Sequence, residues 1–322
     1  MEKYIDFFLN NFCVCYPFYT KNLYKNIELT ELLVDMYNTT YIPPMNNYIT
    51  KFDRESTIEL AYEVLESISP FIANRYLKEV KNGVINFGNY GFSSTKNENN
   101  NYNIYVHDEG NIVTPMISVH EFFHLLHLEK CNYNLDDENY YCYTEALGMA
   151  ADFYFIMYVI NNKKDLVDDI KEAINEYYIR MYKLANDSLV DGLLISIYND
   201  KNKLSKKYIK QYVEENKLNE KYKKIMSYKE YACLDYYENI RYIYSLPQAL
   251  IIAYKLYNEE QYRNNFIDMI NDFEYMDYIK WADKYYNCYI KDDKIYELFR
   301  LLRCNMYNLY KDDEKVKKLG EI

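Results

Sequence analysis

Apolar and polar positions follow a helical period through most of this chain and depart from it in one window. Ser56–Leu65 and Ile72–Val80 carry helical spacing and are parted near Pro70. Beyond residue 114 the pattern predicts helices over 115–130, 138–161, 164–185, 188–198, 205–216, 228–258 with an interruption at Pro247, 260–271 and 292–309. Residues 311–322 form a mostly charged tail that frays. The exceptional window is 83–113, which holds Gly83, Gly88, Gly91 and Gly110 of the chain's seven glycines. There Val84–Phe92 and Tyr102–His107 read as short strands joined by the polar run Ser93–Asn101, and Asp108-Glu109-Gly110-Asn111 reads as a turn. No repeat or low-complexity linker interrupts the pattern. The expectation is one mainly α domain over 1–322: a helical segment over 1–82, a small antiparallel β element over 83–113, a second helical segment over 114–310 and the tail.

Charge narrows the function classes. The formal net charge is −11, and short basic clusters such as Lys221–Lys224 have acidic neighbours. Nucleic-acid binding needs clustered Lys and Arg, so that class is not expected. The N-terminal residues lack the form of a secretory signal. The most apolar stretch, Ala150–Ile160, carries Asp152 and is far shorter than the roughly 20 residues a membrane span needs. Seven cysteines, with Cys13 and Cys15 the one close pair, contain no C-x-x-C unit for a structural zinc site. These features together predict a cytoplasmic protein with reduced thiols. Forty-two tyrosines make any single tyrosine weak evidence for a site.

Histidine is where the chemistry concentrates. Three of the four histidines lie in His120-Glu121-Phe122-Phe123-His124-Leu125-Leu126-His127, and His107 lies just upstream. The spacing H-E-x-x-H puts two imidazoles one turn apart, about 40° from each other around a helix, so both can meet one ion. Glu121 projects beside that ion, where its carboxylate can take a proton from water. Thr114 is the expected N-cap, with Pro115 at the first helical position.

A catalytic zinc commonly has three protein ligands. Glu145, in Tyr143-Thr144-Glu145-Ala146-Leu147-Gly148-Met149-Ala150-Ala151-Asp152, is the expected third. Small residues around it allow close helix approach, and Asp152, two turns on, is expected to hold a ligand histidine by a hydrogen bond. His127 lies roughly 10 Å along the axis from His120, too far for the same tetrahedral site. It reads either as lining the cleft or as a packed, hydrogen-bonded histidine.

The run His120–His127, followed by Glu145 and an acid seven residues later, resembles the oligoendopeptidase F and thimet oligopeptidase zinc peptidases. Gly91-Phe92-Ser93, the strand Asn103–His107 and the Gly110 turn stand where that family has a glycine-bearing loop and a substrate-side strand. Tyr236–Tyr244 resembles its C-terminal aromatic segment. The resemblance covers roughly residues 45–300 and implies a helical zincin-type fold with a cleft between helical halves. It implies one Zn2+ on His120, His124 and Glu145, with Glu121 as general base. Tyr242 or Tyr244 would supply the oxyanion hydrogen bond. A peptide substrate would lie against the strand near Tyr105, read as a sheet edge. Phe123 stands where the family has glycine and Ser245-Leu246 where it has Gly-Tyr, and the resemblance leads to the expectation of a short member lacking most of the family's N-terminal lobe. The alternative is an inactive peptide-binding or regulatory protein that retains the fold.

Overall fold

The computed structural model describes residues 48–89, 93–96, 102–131, 138–174, 176–177, 180, 205–215 and 237–286. The helices expected at 188–198 and 292–309, the charged tail, Cys13, Cys15 and the Gly91-Phe92 step lie outside the described residues. The chain divides into two compact units, Thr40–Tyr177 with Ser245–Ile322, and Met1–Thr39 with Tyr178–Tyr244.

The first unit opens with α1, Arg54–Ile68, whose start is fixed by a reciprocal cap. Asp53 Oδ1 accepts from Ser56 N at 2.9 Å, and Ser56 Oγ accepts from Asp53 N at 2.9 Å. Ser69, in extended conformation, ends α1 and precedes α2, Pro70–Lys81. Pro70 sits at the helix start, where its missing N–H has no helical partner to lose. Gly83, at φ 70°, then turns the chain into the sheet.

The sheet is mixed, which corrects the wholly antiparallel expectation. Strands β1 (Ile85–Gly88), β2 (Ser93–Lys96) and β3 (Tyr102–His107) lie in the order β1-β3-β2. β1 runs parallel to β3 with Ile85 opposite Ile104, and β2 runs antiparallel with Ser94 opposite Ile104. β3 is therefore the central strand, and the expected free edge near Tyr105 is paired on both sides. Its placement follows from burial: Ile104 and Val106 are fully covered, as is Ile85 on β1. The turn after β3 uses Gly110 at φ 65°. Gly110 N donates to Asp108 Oδ1 at 3.1 Å, and its carbonyl accepts from Phe52 N at 3.0 Å.

Two helices then form the centre of this unit: α3, Val113–Lys130, and α4, Glu138–Asn162. Every residue from Glu121 to His127 is buried, as is every residue from Glu145 to Ile156. A helix covered on all sides shows no amphipathic stripe; it is core. A 3-10 turn at Lys164–Leu166 leads into helical residues 167–174.

Downstream, α6 (Tyr237–Asn258) runs without a break through Pro247, against the expected interruption. Proline removes one backbone donor and bends a helix; where packing covers the flanks the helix continues. Ser245, Leu246 and Ala249–Ala253 are all buried. The segment 260–271 is two short helices, α7 (Glu260–Asn264) and α8 (Phe266–Asn271), divided at Asn265. A further helix, α9 (Tyr278–Tyr286), buries Tyr278, Trp281, Ala282 and Tyr286. The Trp281 ring stacks on Phe273 at 4.4 Å, and its Nε1 donates to the Met269 carbonyl.

In the second unit, the described residues form α5 (Lys206–Glu215), Arg180 and the start of α6 up to Tyr244. Among the described residues no helix is long and apolar enough to cross a membrane.

Candidate metal centre

The start of α3 differs from the sequence expectation. The helix begins at Val113, and Ile112 occupies the cap position without a side-chain bond. Asn111 Oδ1 instead accepts from Val113 N at 2.8 Å, while Thr114 Oγ1 accepts from Glu109 N at 3.0 Å and ties the preceding turn to the helix. Pro115 still falls in the first turn, where a missing N–H costs no helical bond.

From this helix His120 and His124 present their Nε2 atoms 3.0 Å apart, with the rings edge to face. Glu145 on α4 brings Oε2 to 3.5 Å from each of them. His120 Nδ1 lies 2.9 Å from Asp152 Oδ2, also on α4. Glu145, Gly148 and Asp152 share one face of α4 by their spacing, and Gly148, which the sequence marks only as one small residue among several, faces the His120 ring. Among the described residues this His-His-Glu set is the one group arranged to hold a metal ion.

The donor set fits zinc. A tetrahedral ion with bonds of 2.0–2.1 Å separates its ligand atoms by about 3.3–3.4 Å. The three edges here, 3.0, 3.5 and 3.5 Å, bracket that value. Two imidazoles and a carboxylate would leave a fourth position of a tetrahedral ion for water or substrate, and a carboxylate on the second nitrogen of a ligand histidine generally fixes its tautomer.

Charge in the site is arranged as for a cation. Burial alone would drive the His120 imidazole down. The Asp152 and Glu145 carboxylates at its two nitrogens reverse this and hold it well above the usual histidine value. Burial would likewise raise Glu145, but bonds from His120 and His124 hold it well below the usual carboxylate value. Glu121 is buried beside them, and its charge adds to the pull on His120.

His127 is excluded from this set and enclosed by aromatic rings. Its ring centroid lies 4.4 Å from Phe273 and 5.9 Å from Tyr278. Burial, with the charge of His124, pushes its pKa down to about 3, so it is neutral at physiological pH. Phe123 also points into the core, 5.5 Å from Phe266. Truncating such a ring costs about 3–5 kcal/mol. Ser245 and Leu246, in place of the resembled Gly-Tyr step, are buried within α6.

The structure thus brings together His120, Glu121, His124, Glu145 and Asp152. Tyr242 belongs to the other unit, where the Arg180 guanidinium lies 5.5 Å above its ring. Tyr244 is on the same helix, and its side chain lies outside the described residues.

Comparison with known proteins gives a fold likeness. A solved structure described as a "putative peptidase from Chlamydophila abortus" superposes with a TM-score of 0.60 at 12% identity, over 96% of this chain. The chain spans 55% of that structure's length. No family model matches the sequence. No curated protein matches it either.

Proposed function

We propose that this chain is a zinc-dependent peptidase acting on short or unfolded peptides. The observation that carries the reading is the convergence of His120 Nε2, His124 Nε2 and Glu145 Oε2 at near-tetrahedral spacing, with Asp152 behind His120. The fold likeness to a peptidase-described structure supports it. His120, His124 and Glu145 would hold the zinc, which would supply Lewis acidity toward water and a peptide carbonyl. Asp152, bonded to Nδ1, orients the His120 ring and would leave Nε2 free to serve as a ligand. Glu121 acts as general base, accepting the proton of the attacking water and returning it to the leaving amine.

The inactive, peptide-binding alternative rests on Phe123 and on Ser245-Leu246. The Phe123 ring packs on Phe266 in the core, so bulk at that position is accommodated away from the donor atoms. That observation favours the enzyme. The test is mass-spectrometric digestion of a diverse peptide library with and without chelator. Cleavage that chelator abolishes and zinc restores is expected. Zinc bound one to one with no peptide cleaved would establish the alternative.

A further inference from the structure

Of the residues on the ligand face of α4, one has no side chain at all and stands against the His120 ring. A Cβ built on Gly148 would lie 2.5 Å from His120 Nε2, 2.7 Å from Cε1 and 2.8 Å from Cδ2. All three distances are shorter than a carbon atom can sustain against another ring atom, and the shortest is to the ligand nitrogen itself. The backbone of α4 therefore rests directly on the metal-facing end of the imidazole. Gly148 follows Glu145 by three residues and precedes Asp152 by four, so all three stand on one face. Asp152 Oδ2 grips the opposite side of the same ring at 2.9 Å from Nδ1.

We propose that Gly148 is a positioning residue for the metal centre. Its lack of a side chain sets the separation of α3 and α4 at which the Glu145 carboxylate reaches the two imidazoles, and it fixes the plane of the His120 ring. The inference rests on the proposed metal reading for its consequence, but the steric contact with His120 stands independently of any ion. The position carries a cost that marks it. Glycine inside a helix is less favourable than alanine. Ala146, Ala150 and Ala151, buried on the same helix, show that a methyl group fits elsewhere along it.

A double-mutant cycle tests this with two readouts, the thermal midpoint of the metal-free protein and the zinc dissociation constant from chelator competition. With His120 present, Gly148→Ala is expected to lower the midpoint and weaken zinc binding by at least about tenfold, the scale of a displaced ligand. With the ring removed by His120→Ala, the same substitution is expected to leave the midpoint unchanged or raise it by a few degrees, because helix propensity then acts unopposed. If Gly148→Ala alone does not fold, folding of the Gly148→Ala/His120→Ala pair supports the proposal equally. An equal loss of midpoint in both backgrounds overturns the proposal, as does native zinc affinity in Gly148→Ala. If the unsubstituted protein binds no zinc, the proposed function fails, and the midpoint cycle still decides whether Gly148 seats the His120 ring.

Discussion

The two ends of one helix treat the same side chain in opposite ways. On α3, His120 and His127 are seven residues apart on one face; His127 is fully buried and His120 partly so. His120 meets two carboxylates from α4, and its imidazole is held well above its usual pKa. His127 meets Phe273 and Tyr278, and burial pushes it down to about 3. Helix position alone thus does not make a ligand. What separates the two is the neighbouring element: α4 offers Glu145 and Asp152 to one, while the α8–α9 region offers aromatic rings to the other.

The contrast is most sharply broken or upheld by substitutions at the polar end. Glu121→Gln should retain zinc and lose roughly 10²–10⁴ in peptide turnover, the range of a missing general base. His127→Phe, measured in the same assay, should keep turnover within about threefold, because the ring it replaces contributes no group to the site. Comparable losses in both variants would erase the functional distinction between the two ends.

A smaller effect is expected one layer out. Asp152→Asn preserves shape but removes the charge that orients His120, and it should weaken zinc by about 10–100-fold, as loss of such a partner generally does. Chelator competition measures it. Unchanged affinity would mean that the 2.9 Å contact leaves the ligand unaffected.

The smallest effect is in pH dependence, and its sign differs between the histidines. A raised folded pKa stabilises below the unfolded value and loses that contribution as pH rises through the folded value. For metal-free protein the His120 contribution is complete below about pH 6.5 and fades on alkalinisation. A depressed folded pKa works the other way. His127 costs nothing above about pH 6.5 and progressively destabilises the fold as pH falls towards 3. Glu145, held below its ordinary value of 4.5, likewise loses its contribution on acidification below that point. His127→Phe should therefore flatten the fall of the thermal midpoint between pH 6 and pH 4. An acid limb as steep as that of the unsubstituted protein would contradict the assigned neutrality of His127.

Legibility in the sequence follows the range of the interactions involved. His120 and His124 are readable because one helix fixes their relation, and Glu145 because its helix carries small residues at the points of closest approach. The strand order is not, since the pairing of Ile85 with Ile104 is made across the sheet and leaves no local mark. α9 is absent from the sequence expectation for a compositional reason. Its buried face is Tyr278, Trp281, Ala282 and Tyr286, a good helical spacing half written in tyrosine, the residue this chain also uses everywhere else. Pro247 misleads in the other direction: a local breaker signal yields to burial of the helix on either side. The contact of Gly148 with the His120 ring is not legible either, because a sequence shows that a residue is small but not what it is small against.

Everything proposed for this site depends on His120, His124 and Glu145 holding one zinc ion together, and calorimetric titration of zinc into chelator-stripped protein reads that out. Saturation at one ion per chain is expected for the unsubstituted protein. Glu145→Gln is expected to lose at least about 10² in affinity, a removed ligand costing no less than a removed partner of one. Absence of saturable binding, or binding by Glu145→Gln as tight as that of the unsubstituted protein, would contradict the assignment.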